Sequence, residues 1–104
     1  LAEGIHFSRK AGLKTADVMG VITKGAAQSW QMENRWETML NDEYDFGFAV
    51  DLMRKDLDIV LKQAKKMDTE LEITDLVNSF YKEIQKLGGG RWDTSSLLKR
   101  IQEK

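Results

Sequence analysis

Cysteine is missing from this sequence altogether, and histidine occurs once, as His6. The first absence excludes disulfides and thiolate metal sites. The second leaves a histidine-based zinc centre short of ligands, so no metal is expected. Neither sign of charge is in excess: 16 basic side chains face 17 acidic ones, for a net charge of −1. That balance carries no electrostatic footprint for nucleic acid. Even the Lys62, Lys65, Lys66 cluster is offset by Asp68, Glu70 and Glu72 just after it. No apolar run approaches the ~18 residues that a bilayer span needs, and no signal peptide is visible. The expectation is a cytoplasmic protein with neither nucleic acid nor membrane as partner. Period-two alternation never lasts long enough for a strand, and there is no internal repeat.

What is present suits one helical domain. The chain has 104 residues, 41% hydrophobic and 32% charged, enough for a single core. It starts at Leu1 without a methionine, already inside an apparent helix, which suggests a piece of something longer. Leu1, Ile5, Ser8 and Ala11 follow one helical face, with Gly12 as the stop and Gly4 as a candidate point of close helix contact. Thr15 is placed to cap a second helix carrying Val18, Met19, Val21 and Ile22, which Gly25 ends. Residues 26–40 read as a third helix with Met32, Trp36, Met39 and Leu40 inward, followed by a polar turn over 41–47.

The longest pattern is FGFAVDLMRKDLDIVL, residues 46–61, continuing to about Lys66. Val50, Met53, Leu57, Val60, Leu61 and Ala64 recur at three and four, which predicts an apolar stripe. Arg54, Lys55, Asp56 and Asp58 fall off it, with Asp51–Lys55 and Asp58–Lys62 as expected pairs one turn apart. On periodicity alone these charges form an ordinary solvated face. Thr74 opens a fifth helix with Val77, Phe80, Tyr81, Ile84 and Leu87, and Gly88 stops it. Gly88, Gly89 and Gly90 follow a helix, not a strand, and lack the Lys-Ser/Thr of a phosphate-binding loop, so they read as a hinge or cap. Asp93 or Thr94 caps a last helix with Leu97, Leu98 and Ile101. The fold class is all-α, about six helices in one compact domain. No Gly-x-Ser-x-Gly, no Cys–His pair and no His-Glu-x-x-His occurs, so catalysis is not legible from motifs alone.

Four stretches, in order, carry a resemblance. They are Ala2-Glu3 with Lys10-Ala11-Gly12-Leu13; Gly25-Ala-Ala-Gln-Ser-Trp30; Gly47-Phe48 with Asp51-Leu52 and Lys55-Asp56-Leu57; and Gly88-x-Gly90 with Asp93-x-Ser95. Over essentially the whole chain the sequence resembles the C-terminal helical domain of the β-hydroxyacid dehydrogenases, the 3-hydroxyisobutyrate dehydrogenase and tartronate semialdehyde reductase group. It departs from them at Phe46, where the family usually has Pro, and at Leu71-Glu72, where Leu-Pro is frequent. Both are loop positions.

The resemblance implies a C-terminal domain of the 6-phosphogluconate dehydrogenase-like type, with residues 1–104 forming a substrate and dimerisation domain and the Rossmann domain absent from this chain. It implies an enzyme that moves a hydride between NAD or NADP and a small β-hydroxy acid such as 3-hydroxyisobutyrate, as a homodimer or higher homo-oligomer. Residue by residue, Lys55 would reach the cofactor, Asp56 would orient groups beside the substrate, Phe48 would wall the pocket, and Ser29 with Trp30 would shape its substrate end. From the residues alone, Ser29 is equally a helix cap and Trp30 equally a core aromatic. No catalytic residue is expected within these 104 positions, because the family's catalytic Lys lies upstream of Leu1, as does its Gly-x-Gly-x-x-Gly fingerprint. The 104 residues alone are expected to bind no cofactor tightly and to be inactive. Two other readings stand beside this one. The first is a free-standing helical interaction or dimerisation module. The second, helix-turn-helix DNA binding, is disfavoured by the charge balance.

Overall fold

The computed structural model describes all residues, Leu1–Lys104, as six α-helices and no β-strand. They are α1 (Ala2–Lys10), α2 (Thr15–Ile22), α3 (Trp30–Leu40), α4 (Val50–Lys66), α5 (Glu72–Lys86) and α6 (Leu97–Gln102), the last preceded by a 3-10 turn at Thr94–Ser96. Two small cores hold them. Ile5, Met19, Met39, Tyr44 and Leu98 join α1, α2, α3 and α6. Val50, Tyr81 and Ile84 join the α4–α5 hairpin, flanked by Met53, Leu57, Val77 and Leu97. Trp92 packs against both cores, its ring centroid 6.2 Å from that of Tyr44. The hairpin extends from the rest, so the body measures 45 × 32 × 24 Å with a radius of gyration of 14.8 Å. About 13 Å would be expected of a compact chain of this length.

Several expectations are corrected here. Thr15 does not cap α2: Lys14 occupies that position, and the Thr15 hydroxyl is buried 3.3 Å from Ser8 Oγ. Of the α2 apolar set only Met19 is fully buried, while Val21 and Ile22 face solvent. Leu1 and Ala11 are exposed although Ile5 and Ser8 on the same face are buried. Gly4 has open space around it and marks no close contact. The third helix starts at Trp30, because Ser29 caps it, and residues 26–28 form a turn. The fifth starts at Glu72, two residues before Thr74.

On α4 the buried face is shifted. Val60 is exposed, and Arg54, which periodicity put on the solvated side, turns toward α5. There a chain of hydrogen bonds alternates between the helices. Gln85 Nε2 donates to Asp51 Oδ1 (2.7 Å), Arg54 Nη1 to Gln85 Oε1 (2.9 Å), Arg54 Nε to Asn78 Oδ1 (3.1 Å) and Asn78 Nδ2 to Asp58 Oδ1 (2.9 Å). Asn78 is buried, so this ladder satisfies a group that would otherwise destabilise the hairpin. It also replaces the expected pairs: Asp51 and Asp58 bond to α5 and to Arg54, while Lys55 lies 3.5 Å from Asp56.

The glycine loop is a helix terminator. Gly88 adopts φ +86°, and the Gly88 and Gly89 amides return to the carbonyls of Gln85 (3.0 Å) and Ile84 (2.9 Å). Its carbonyls then cap α4, which has no side-chain cap. Val50 N–H donates to Trp92 O (2.9 Å) and Asp51 N–H to Gly90 O (2.8 Å). Those carbonyls take the α4 amides that a phosphate would otherwise use.

Candidate functional site

The third and fourth motif stretches, some 45 residues apart, meet at Asp93. This carboxylate is only 1% exposed. Its Oδ1 accepts from the Phe48 amide (2.9 Å), and its Oδ2 from the Ser95 amide (3.0 Å), the Ser95 hydroxyl and Arg35 Nε (3.1 Å). Burial alone would raise its pKa, yet the Ser95 hydroxyl, the Phe48 and Ser95 amides and the Arg35 guanidinium together hold it below the usual carboxylate value. Phe48 is clamped from both sides, since its carbonyl accepts from Thr94 N–H at 3.0 Å. Gly47 permits this approach. It has φ +72°, and a Cβ there would overlap Asp93 Oδ1 and lie 3.1 Å from Arg35 Nη2.

Arg35 ties the aromatic residues to the same point. Its guanidinium carbon lies 4.7 Å from the Trp30 ring centroid and 4.9 Å from that of Phe46. Trp30 is 58% exposed and is therefore no core aromatic. Ser29 does act as the cap of α3, accepting from Met32 N–H at 3.0 Å, and its side chain stays at the surface. Phe46, where the resemblance led one to expect Pro, supplies one of the rings on Arg35. Phe48 remains 42% exposed despite its fixed backbone.

Lys55 and Asp56 sit one turn further along α4, with side chains 63% and 52% exposed. Leu52 and Ile59, three and four residues away, are exposed on the same face. Lys55 is thus an unburied ammonium held only by a loose contact to Asp56. No hydrogen bond or ion pair joins Lys55 or Asp56 to Ser29, Trp30 or Phe48. The chain brings Trp30 and Phe48 together through Arg35 and Asp93, and the Lys55–Asp56 pair stands open on α4. Arg35 had no signal in the sequence: it stands in the polar run Glu33-Asn34-Arg35. Asp93 had only that of a helix cap.

The body is thus all-helical, with an open charged face on α4 and an aromatic loop pinned by Asp93. The comparisons identify it. The chain belongs to the family described as NAD-binding of NADP-dependent 3-hydroxyisobutyrate dehydrogenase, which matches residues 1–101. It is 56% identical over 103 residues to an uncharacterized oxidoreductase of Shewanella frigidimarina, covering 99% of this chain and 35% of that one. It is 31% identical over 100 residues to the 2-(hydroxymethyl)glutarate dehydrogenase of Eubacterium barkeri, covering 95% and 33%. The crystal structure of a 3-hydroxyisobutyrate dehydrogenase from Salmonella typhimurium superposes with a TM-score of 0.85 at 28% identity, over 94% of this chain and 34% of the other. The chain therefore spans about a third of the length of the relatives it matches. No helix in it is long and apolar enough to cross a membrane.

Proposed function

We propose that these 104 residues are the C-terminal helical domain, of the 6-phosphogluconate dehydrogenase-like type, of a cytoplasmic NAD(P)-dependent dehydrogenase acting on a small β-hydroxy acid. The observation that carries the reading is the open α4 face, where Lys55 and Asp56 stand exposed between Leu52 and Ile59. An exposed, flexible ammonium whose one partner is the loosely held Asp56 suits a cofactor phosphate or ribose, so the residues present fit the nicotinamide cofactor that the family implies. When bound, that cofactor supplies the hydride acceptor. On this chain Lys55 holds the cofactor side, Asp56 orients the substrate, Phe48 walls the pocket, and Ser29 and Trp30 shape its outer end. The catalytic lysine and the dinucleotide fingerprint belong, in this reading, to residues preceding Leu1. Their absence from these 104 positions makes the isolated domain inactive.

Self-association fits the same reading. An apolar opening of about 360 Å³ beside α1 is lined by Leu1, Ile73, Leu76, Val77, Phe80 and Ile101, and a homodimer would cover such surface. The test is an assay of the full-length protein and of the isolated domain with NAD(H) or NADP(H) and a hydroxy-acid panel. Turnover is expected from the former alone. Turnover by the domain, or none by the full-length protein, overturns the proposal. Light scattering that gives a monomer at high concentration overturns the dimer.

A further inference from the structure

We infer that Arg35 is a positioning residue that holds Trp30, Phe46 and Phe48 as one apolar rim. Through that rim the site favours β-hydroxy acids with an apolar substituent over polyhydroxylated ones. The inference rests on the dehydrogenase reading and on four observations.

The Arg35 guanidinium is stacked by Trp30 at 4.7 Å and Phe46 at 4.9 Å. Its Nε bonds to Asp93 at 3.1 Å, and Asp93 in turn holds the Phe48 amide at 2.9 Å. One side chain thus fixes two rings by their faces and a third residue by its backbone. The three aromatic side chains nevertheless stay 58%, 38% and 42% exposed, so they are ordered without being used as core. Finally, the Arg35 side chain is only 16% exposed, and it donates two of its five N–H groups within the chain, Nε to Asp93 and Nη1 to the Asn34 carbonyl at 3.2 Å. The rim consequently offers ring faces and few hydrogen-bond partners. A substrate hydroxyl brought against it loses water and gains little, whereas a methyl or larger apolar group gains contact.

Arginine is needed because only a planar guanidinium can stack on two rings while donating in its own plane; lysine supplies the charge alone. This separates positioning from stability. Arg35→Lys keeps a cation beside Asp93 but loses the stacking, and Phe46→Leu keeps the Arg35–Asp93 bond but removes one ring.

The experiment uses full-length protein, with 3-hydroxyisobutyrate as the apolar probe and L-threonate as the polyhydroxylated one, under saturating cofactor. The wild type should prefer the apolar acid by about 10-fold or more in kcat/KM. Arg35→Lys should raise the KM for that acid by about 3–10-fold, leave kcat within about 2-fold and the cofactor KM unchanged, and shrink the preference. Phe46→Leu should do the same to a smaller degree, and it decides the matter if the lysine variant does not fold. Wild-type preference for L-threonate, or both variants retaining the original KM and preference, overturns the inference alone. No turnover of any hydroxy acid by the wild type overturns the dehydrogenase reading, and the inference falls with it.

Discussion

Replacing Asp93 by Asn is the most demanding test of the structural account, because the two side chains have the same heavy-atom shape and differ by a full charge. Asp93 accepts four hydrogen bonds and donates none. An asparagine must turn its NH₂ toward either Phe48 N–H or the Arg35–Ser95 side, and each is a donor. At least one buried bond is therefore lost, at about 1–3 kcal/mol. The Arg35 guanidinium also loses its counter-charge. Breaking a buried pair costs about 3–5 kcal/mol, but Arg35 keeps 16% side-chain exposure and its two aromatic faces, so the lower part of that range applies. The two losses overlap, since both count the Arg35–Asp93 bond, so a total of about 3–4 kcal/mol follows, which for a chain of this length lowers Tm by about 14–18 °C. Urea titration at neutral pH with unchanged m isolates the effect.

The pH dependence sharpens the same test. The folded-state pKa of Asp93 is below its ordinary value of 3.8. Its contribution is therefore complete above that ordinary value and is lost as pH falls through the folded pKa. Asp93→Asn should lack this component of acid destabilisation. A variant within about 1 kcal/mol of wild type, with the same acid limb, refutes the reasoning.

Three further outcomes are expected. Gly47→Ala should lose about 2 kcal/mol or more, read by thermal melting, because its φ of +72° is strained for alanine and the new methyl overlaps Asp93. Both tyrosines, Tyr44 and Tyr81, are pushed up to about 12, mainly by burial, so their stabilising contribution is full below pH 10 and lost as pH rises toward 12. Near-ultraviolet titration should then show phenolate appearing together with unfolding; two tyrosines titrating near 10 in folded protein would contradict it. Lys55→Ala should leave stability within about 0.5 kcal/mol. In the full-length protein the same change should raise the cofactor KM by about 10-fold, and an unchanged KM removes Lys55 from the proposed site.

Helix existence was readable from spacing, and the errors show where spacing stops informing. Val60 and Arg54 illustrate it: period 3.6 defines a face of α4, but which sector is covered depends on where α5 lies, and that is set by the polar ladder through Asn78 and Gln85. Ser29 and Thr15 differ for a similar reason. Both are plausible caps locally, yet Thr15 is drawn one position inward by the Ser8 hydroxyl on another helix. Ser29, Trp30, Phe48 and Asp56 were named from motif order alone, and all four are exposed. Arg35 and the hub role of Asp93 were invisible because they arise only when residues 35, 47–48 and 93–95 converge.

That convergence explains why the motif Gly-Phe and the motif Asp-x-Ser belong together. Asp93 needs donors to remain charged while buried, and Phe48 and Ser95 provide backbone donors that, among substitutions, only proline removes. Gly47 lets the chain come close enough to use them. The consequence is a loop whose backbone is held by Asp93 at one atom and by Thr94 at another, with its aromatic side chain left exposed. On α4 the division is parallel: Asp51, Arg54 and Asp58 are consumed in the ladder to α5, while Lys55 and Asp56 are kept out of it. Rigidity and exposure are thereby assigned to adjacent residues of the same segments, as the half-cleft proposed above requires.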